Sequence, residues 1–203
     1  HRRLSNGDDK PYELNISWWS AMEDSSRDAK RFQYERFILS QLLVMALKGV
    51  PAFYLPALLA SENDIKSFSM TGQRRDLNRE KFKSDNLSAV LNNPESNANK
   101  NLKYLRNAMD VRSELKQFHP CSQMKCLSKG RSDIVVIKRG KGPESVFAIH
   151  NMTENKINYQ LNDNDLPKII DNDFNTHDFL TSTKYNCKNI SLDPFQVIWL
   201  SAL

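Results

Sequence analysis

The sequence predicts an α/β part followed by an all-β part. Residues 28–48 carry apolar side chains around most of a helical circumference, and an apolar run of strand length follows at 52–59. After residue 119 the pattern changes to short β-type runs that are separated by polar turns. We therefore expect one domain over residues 1–118 and a small antiparallel β domain over residues 119–203.

Each element of the first part has its own signal. The apolar pattern predicts a mostly buried helix over 28–48, with Gly49 as a C-cap. The run 52–59 predicts a strand that is buried on both faces. Residues 61–101 are long and polar, which is typical of a functional loop or of short helices. Apolar residues at helical spacing then predict an amphipathic helix over 99–118.

The second part carries five runs of β-forming residues. They lie at 134–137, 146–149, 157–161, 179–181 and 195–200. Strands of this length without intervening helices are typical of an antiparallel sheet or sandwich. We expect the sheet to be independent of the helices before it.

Composition excludes some function classes. The net charge is +5, but the 29 basic residues are interleaved with 24 acidic ones, and no basic stripe or nucleic-acid-binding signature occurs. The apolar stretch 37–60 is interrupted by Lys48, Pro51 and Pro56, so it favours helix, turn and strand over a membrane span. We predict neither a nucleic-acid partner nor a membrane partner.

The three cysteines, Cys121, Cys126 and Cys187, are few and odd in number. That count argues against a disulfide framework and favours a reducing, cytoplasmic location. No cysteine or histidine pair has zinc-ligand spacing. We predict no metal and no cofactor.

Four motifs occur in a characteristic order. They are Pro11-Tyr12-Glu13-Leu14-Asn15 with Trp18-Trp19-Ser20-Ala21, then Gly49-Val50-Pro51-Ala52-Phe53-Tyr54, then Asn63-Asp64 with Arg75-Asp76-Leu77-Asn78-Arg79-Glu80, and finally Pro194-Phe195-Gln196-Val197-Ile198-Trp199-Leu200. Together they resemble the C-terminal part of the sucrose phosphorylase group, which includes glucosylglycerate and sucrose 6-phosphate phosphorylases. This group lies in the α-amylase superfamily, glycoside hydrolase family 13.

The resemblance implies the C-terminal piece of a TIM (β/α)8 barrel followed by an antiparallel β domain. It also implies retaining glucosyl transfer, which needs two carboxyl groups about 5 Å apart. The family's catalytic carboxylates follow earlier barrel strands, and nothing in this sequence matches them. We therefore assign no catalytic residue and expect this chain alone to be inactive.

The resemblance also implies four substrate-binding residues. Arg75 matches an arginine that lines the glucose subsite, and a guanidinium suits that role because it donates several hydrogen bonds in fixed directions. Tyr12 and Glu13 match a pair that faces the acceptor or phosphate, where sucrose phosphorylases proper have Gln in place of Glu13. Asp64 lies in the loop that carries Arg75.

Plainer interpretations of these residues stay open. Arg75 and Glu13 also fit a solvated surface, and Asp64 also fits a residue that shapes a turn. Trp18, Trp19 and Tyr12 fit either a sugar-stacking platform or core packing, and core packing is favoured for at least two of them. His150 lies in an apolar run, which favours a satisfied core histidine.

Two functions therefore remain. The first is a portion of an α-glucoside phosphorylase or glucosyltransferase. Its partners would be an α-glucoside and phosphate or an acceptor, with a separate chain that carries the rest of the barrel as a further candidate. The second is a non-catalytic carbohydrate-binding β module. The second explains only the last part of the sequence, because the motifs before residue 119 have no role in it.

Overall fold

The computed structural model describes residues 2–10, 13–24, 28, 30–128, 130–162 and 175–201. Its helices are α1 (Gln33–Ala46), α2 (Leu55–Leu58), α3 (Ile65–Thr71), α4 (Ser84–Asn92) and α5 (Asn97–Glu114), with 3-10 turns at Ser20–Met22, Arg74–Asn78, Lys116–Phe118 and Gly142–Glu144. Its strands are β1 (Arg2–Arg3), β2 (Asp9–Lys10), β3 (Met124–Cys126), β4 (Ile134–Arg139), β5 (Val146–Asn151), β6 (Ile157–Tyr159), β7 (Asn175–His177), β8 (Lys184–Asn186), β9 (Ile190–Leu192) and β10 (Val197–Ser201). Helices dominate the first part and antiparallel strands the second.

Helix α1 lies within the predicted range and is buried as expected. Phe37, Leu42 and Met45 are fully buried in it. The helix ends at Ala46, and its C-cap is Leu47 rather than Gly49. Gly49 instead adopts a φ of 114° in the turn that follows, a conformation that side chains with a Cβ rarely take.

The predicted strand over 52–59 is wrong. Residues 50–54 form an extended segment without a strand partner among the described residues, and the chain then enters α2. Pro56 lies in the first turn of α2, where its missing N–H leaves no hydrogen bond unmade. The extended segment 50–54 still shows the period of a strand, because its side chains alternate between exposed and half-buried.

The polar stretch 61–101 holds short helices, one of the two expected outcomes. It contains α3, α4 and the start of α5. Ser96 caps α5, because its side chain accepts a hydrogen bond from the Asn99 N–H at 3.1 Å. Helix α5 ends at Glu114, and a 3-10 turn continues it to Phe118.

A four-stranded antiparallel sheet, in the order β10-β5-β4-β3, organises the second part. One face of this sheet packs on α1 and α5 through Ile137, Ala148 and Trp199. The other face packs on the β6–β9 pair in a second core. The sequence had suggested a sheet that is independent of the helices. The structure contradicts this prediction, because the sheet shares its largest core with the helices.

The run 179–181, predicted as a strand, is a turn. The chain pairs as a strand at β7, before this run, and Ser182 then takes a positive φ of 61°. Asp178 is fully buried at this turn, and its carboxylate accepts hydrogen bonds from the Trp199 N–H at 2.7 Å and the Thr181 hydroxyl at 2.7 Å. Burial raises the pKa of Asp178, while these hydrogen bonds oppose the rise.

Two arginines hold the C-terminal end of α1. The buried Arg139 guanidinium, on β4, donates to the carbonyl oxygens of Ala46, Leu47 and His119 at 2.9, 2.7 and 3.0 Å. Arg112, on α5, donates to Met45 O and Gly49 O, each at 2.9 Å. The last carbonyls of a helix have no partner inside the helix, so these side chains satisfy them and join α1 to α5 and to the sheet.

His150 lies in β5, between the strand neighbours Val135 and Val197, and is completely buried. Its Nδ1 lies 3.3 Å from the Val135 carbonyl oxygen. Burial lowers the pKa of His150 to about 4. The ring is therefore a neutral core residue at pH 7, as the sequence indicated, but it is not fully satisfied, because its buried Nε2 has no hydrogen-bond partner among the described residues.

No helix in the described part of the chain is both long enough and apolar enough to cross a membrane.

Candidate functional site

Two polar segments that are distant in sequence meet where the extended segment 50–54 leads into α2 and α3. Asn63 joins them, because its Oδ1 accepts the Ser17 N–H at 2.7 Å. The Asn63 N–H in turn donates to the Ser20 hydroxyl at 3.1 Å. This double contact fixes residues 13–24 against residues 61–80, and it is the basis of the site.

Arg75 and Glu13 form an ion pair across these two segments. Arg75 Nε lies 3.1 Å from Glu13 Oε1, and Arg75 Nη2 lies 3.2 Å from Glu13 Oε2. The two parallel bonds are the fork geometry in which a guanidinium binds a carboxylate. The side chains are 54% and 28% exposed, so this pair stays open to solvent.

Tyr12, the third predicted residue, lies outside the described residues. The structure thus brings Arg75 together with Glu13, and a substrate role for all three stays a prediction. Sequence reasoning named both members of the pair but did not join them, because 62 positions separate them.

Asp64 caps a helix. Its Oδ1 accepts the Ser67 N–H at 2.8 Å at the start of α3, and its own N–H donates to Leu77 O at 2.8 Å. Hydrogen bonds from Ser67 lower the pKa of Asp64. The turn-shaping interpretation therefore describes the observed contacts, and substrate binding by Asp64 stays a prediction.

An open cleft of about 530 Å³ borders this cap. Its lining includes Asp64, Glu62, Lys66, Glu80 and Lys81. Charged groups of both signs thus surround an opening beside the Arg75 loop. Polar and charged side chains around a concavity are what a sugar-binding surface needs to orient hydroxyl groups.

A second cavity, of about 170 Å³, lies between this loop and α4, with Leu59, Phe82 and Leu87 in its lining. The buried Ser61 hydroxyl lines it and has no hydrogen-bond partner. The sequence did not indicate this cavity, because part of its lining comes from α4, a helix that the spacing of apolar residues did not predict.

The two tryptophans differ in environment. Trp19 is buried and packs edge-on against Phe37, with ring centroids 5.2 Å apart. Trp18 is 39% exposed. Core packing is thus the role of Trp19, and Trp18 alone of this pair remains available for stacking on a sugar.

Among the described residues, no group of three histidine, cysteine, aspartate or glutamate side chains is placed to hold a metal ion.

Comparison with solved structures defines the class of fold. A maltotriose complex of AmyP E221Q superposes with a TM-score of 0.65 at 15% identity, over 84% of this chain and 35% of AmyP. An Anoxybacillus α-amylase superposes with a TM-score of 0.56 at 14% identity, over 83% of this chain and 33% of the amylase. The fold is that of the C-terminal piece of an α-amylase-type enzyme.

Sequence comparison gives the group within that class. The chain is 31% identical over 145 residues to the glucosylglycerate phosphorylase of Allomeiothermus silvanus, covering 71% of this chain and 26% of the relative. It is 23% identical over 195 residues to the glucosylglycerate phosphorylase of Escherichia coli K12, covering 96% of this chain and 33% of the relative. No family model matches the sequence.

The resemblance predicted from the motifs is therefore confirmed: the chain is similar to a C-terminal portion of a sucrose phosphorylase-like, α-amylase-superfamily protein. It spans about a quarter to a third of the length of these curated relatives. The predicted fold class, a C-terminal barrel piece with an antiparallel β domain, is confirmed as well. The predicted domain boundary near residue 119 stays a prediction.

Proposed function

We propose that this chain is a portion of a retaining α-glucoside phosphorylase or glucosyltransferase that acts on sucrose, glucosylglycerate or a related α-glucoside. The observation that carries the proposal is the Arg75–Glu13 pair, which bridges the two segments that Asn63 also joins by hydrogen bonds to Ser17 and Ser20. In this proposal the catalytic carboxylates come from protein outside this chain. The chain contributes substrate-positioning groups.

The ion pair suits substrate exchange. A pair that is partly exposed contributes only about 0–1 kcal/mol to stability, so sugar hydroxyls can replace one partner at small cost. Arg75 then orients the glucose ring with several hydrogen bonds. Glu13 faces the acceptor, where an ionised carboxylate accepts hydrogen bonds from hydroxyl groups.

The proposed partner is polypeptide that carries the remaining barrel strands, in a separate chain or in the same one. The segment 50–54 supports this, because its side chains alternate in exposure as in a strand, yet it has no ladder partner among the described residues. Val50 and Tyr54 are 80% and 55% exposed on one side of it. Parallel strands laid along this edge would pair its backbone and cover these apolar side chains.

The shared core argues against the alternative of a separate carbohydrate-binding β module. Ile137, Ala148 and Trp199 of the sheet pack in one cluster with Leu42 and Leu105 of the helices. A module that acts alone needs its own closed core. Removing the helices would expose one complete face of this sheet.

The proposed location is a reducing compartment, the cytoplasm. Cys121 and Cys126 are exposed free thiols, and Cys187 is a buried one. Burial raises the pKa of Cys187 to about 11, so this thiol stays protonated and inert. Exposed free thiols persist where the surroundings are reducing.

A chimeric enzyme tests the proposal. The matched quarter of the Allomeiothermus silvanus relative is replaced by this chain, and release of glucose 1-phosphate from glucosylglycerate and phosphate is measured. We expect release by the chimera and none by this chain alone. The control is the same relative with the matched region deleted. A chimera that folds, as judged by circular dichroism and gel filtration, yet releases no more than this control would overturn the proposal.

Arg75→Ala in that chimera is expected to lower turnover about 10- to 150-fold with every glucosyl donor, because charged hydrogen bonds contribute about 1.5–3 kcal/mol. The reduction should be uniform, since the glucose ring is common to all donors. Steady-state kinetics with sucrose, sucrose 6-phosphate and glucosylglycerate measures it. Arg74→Ala is the matched control, because Arg74 is the exposed neighbour in the same 3-10 turn. If Arg75→Ala and Arg74→Ala lose turnover equally, the effect comes from the positive charge of the loop and not from hydrogen bonds that Arg75 makes to the glucose ring.

Glu13→Gln is expected to leave glucosylation nearly intact and to shift the preferred acceptor toward fructose. The amide keeps the shape of the side chain and one acceptor oxygen but removes the charge. Kinetics with glycerate, fructose and phosphate as acceptors measures the change. Glu95→Gln is the control, because Glu95 is an exposed carboxylate before α5 that does not line the cleft. If Glu13→Gln lowers turnover with all acceptors alike, Glu13 serves only to hold Arg75.

A further inference from the structure

The segment that carries Glu13 is turned toward the protein at alternate residues. Residues 13–17 belong to no helix or strand, and their exposure alternates: the odd-numbered residues are buried or half-buried, and the even-numbered ones are exposed. Glu13 and Ser17 thus lie on the inward side. Each of them contacts the polar stretch after α2, Glu13 through Arg75 and Ser17 through Asn63.

Ser17 is the point at which this segment is held. Its N–H donates to Asn63 Oδ1 at 2.7 Å, and its hydroxyl accepts the Ser20 N–H at 3.1 Å. Among the residues that the structure describes, no backbone–backbone hydrogen bond involves residues 13–16. The position of Glu13 therefore depends on the Ser17 contact farther along the chain and on its own ion pair.

The neighbouring residue Asp64 ties Asn63 to the turn that carries Arg75. The Asp64 N–H donates to Leu77 O at 2.8 Å, and Leu77 lies in the same 3-10 turn as Arg75. The ion pair, the Asn63 hydrogen bonds and this backbone hydrogen bond together form a closed ring of contacts. A shift at Asn63 therefore moves Glu13 relative to Arg75.

The Asn63 contact is the stronger link in this ring. Ser17 is only 5% exposed, and a buried N–H that loses its acceptor costs more than an exposed ion pair contributes. The Arg75 and Glu13 side chains are both partly open to solvent, which makes their pair the weaker link. The ion pair thus follows the geometry that Asn63 sets.

We propose that Asn63 is a positioning residue, whose amide oxygen holds the segment so that Glu13 stands against Arg75. The consequence for catalysis rests on the proposed function, in which Glu13 faces the acceptor and Arg75 the glucose ring. Asn63 then sets the spacing between the two binding groups. It acts through the Ser17 N–H and needs no contact with the substrate.

Hydrogen exchange of the Arg75 Nε–H with water, measured by NMR on the full chain, tests the positioning directly. Arg75 Nε donates to Glu13 Oε1 at 3.1 Å. Asn63→Ala should speed this exchange about fivefold, the factor by which a weak ion pair shifts an equilibrium. Asn63→Asp keeps an acceptor oxygen and should restore the wild-type rate.

A second variant and a matched control make the result specific. Asn63→Gln keeps the amide but moves its oxygen by one methylene, so it decides the question if Asn63→Ala does not fold, as judged by circular dichroism. Asn93→Ala is the control, because Asn93 Oδ1 also accepts a backbone N–H, that of Glu95 at 3.0 Å, between α4 and α5. A folded Asn63→Ala protein with the wild-type exchange rate, or an equal effect of Asn93→Ala, would contradict the proposal.

Kinetics in the chimera described above separate a positioning role from a structural one. With glucose 1-phosphate as donor, Asn63→Ala should raise the KM for glycerate about fivefold with a smaller effect on kcat, and Asn63→Asp should restore the KM. A lower kcat with an unchanged KM for glycerate would make Asn63 a structural residue only. If the chimera with Asn63 intact is inactive, the proposed function fails, and the Arg75 exchange rates decide the role of Asn63 by themselves.

Discussion

Replacing Arg139 with methionine is expected to lower the free energy of unfolding by about 3 kcal/mol, because it leaves buried carbonyl groups without donors. The guanidinium is fully buried and holds three carbonyl oxygens, two of them at the end of α1. Methionine keeps most of the length and the apolar contact with the Phe118 ring, which lies 5.4 Å from the guanidinium carbon. The loss in the free energy of unfolding should therefore come from the missing hydrogen bonds more than from lost packing.

Urea unfolding, monitored by circular dichroism, measures the effect of Arg139→Met. Arg106→Met is the matched control, because Arg106 is exposed on α5 and should change the free energy of unfolding by less than about 0.5 kcal/mol. An Arg139→Met variant that is more stable than wild type would mean that the desolvation cost of the buried charge exceeds the stabilisation from its three hydrogen bonds. Such a result would contradict the role given to Arg139 here.

The chain is expected to lose on the order of 3 kcal/mol of stability as the pH falls from 6.5 to 4, because of His150. Burial lowers the pKa of the folded-state ring to about 4, whereas the unfolded ring has a pKa near 6.5. Between these values the unfolded state binds the proton and the folded state does not. The contribution of His150 is therefore fully present above pH 6.5 and is lost as the pH falls through this window.

Equilibrium unfolding at several pH values, with wild type and His150→Gln compared, measures this slope. The difference between the two proteins isolates His150 from Asp178, whose raised pKa acts in the opposite direction at the low end of the window. His177→Gln, which replaces an exposed histidine on β7, is the control. If His150→Gln keeps the wild-type slope of unfolding free energy against pH, the pKa of the His150 ring is not lowered in the folded state.

The sequence predicted elements whose signal is local. Helix α1 and helix α5 follow from periodicity, and the strands β4, β5 and β10 follow from compact runs of β-branched and aromatic residues. The prediction of a strand at 52–59 is wrong because a strand needs backbone hydrogen bonds from a neighbouring strand. The sequence of one segment does not show whether that neighbouring strand is present. Pro56 also favoured the first turn of a helix over a central strand.

The candidate site was predictable only in part. Motif resemblance selected Arg75 and Glu13, but their contact depends on how Asn63 joins two distant segments. Asp64 belonged to the same motif, yet its observed contacts are those of a helix cap. The role of Arg139 left no clear signal in the sequence, because the half-buried Lys138 and the buried Arg139 follow one another at the end of the same apolar run.

The extended segment 50–54 has a consequence for the behaviour of the chain in solution. It has no strand partner in the described part of the chain, and with the exposed Val50 and Tyr54 it forms the kind of edge through which proteins self-associate. Pro51 limits this tendency, since it lacks one N–H donor, and the net charge of +5 adds mutual repulsion at low salt. Aggregation of this chain should therefore depend on five residues rather than on overall composition, and it should increase as salt screens that repulsion.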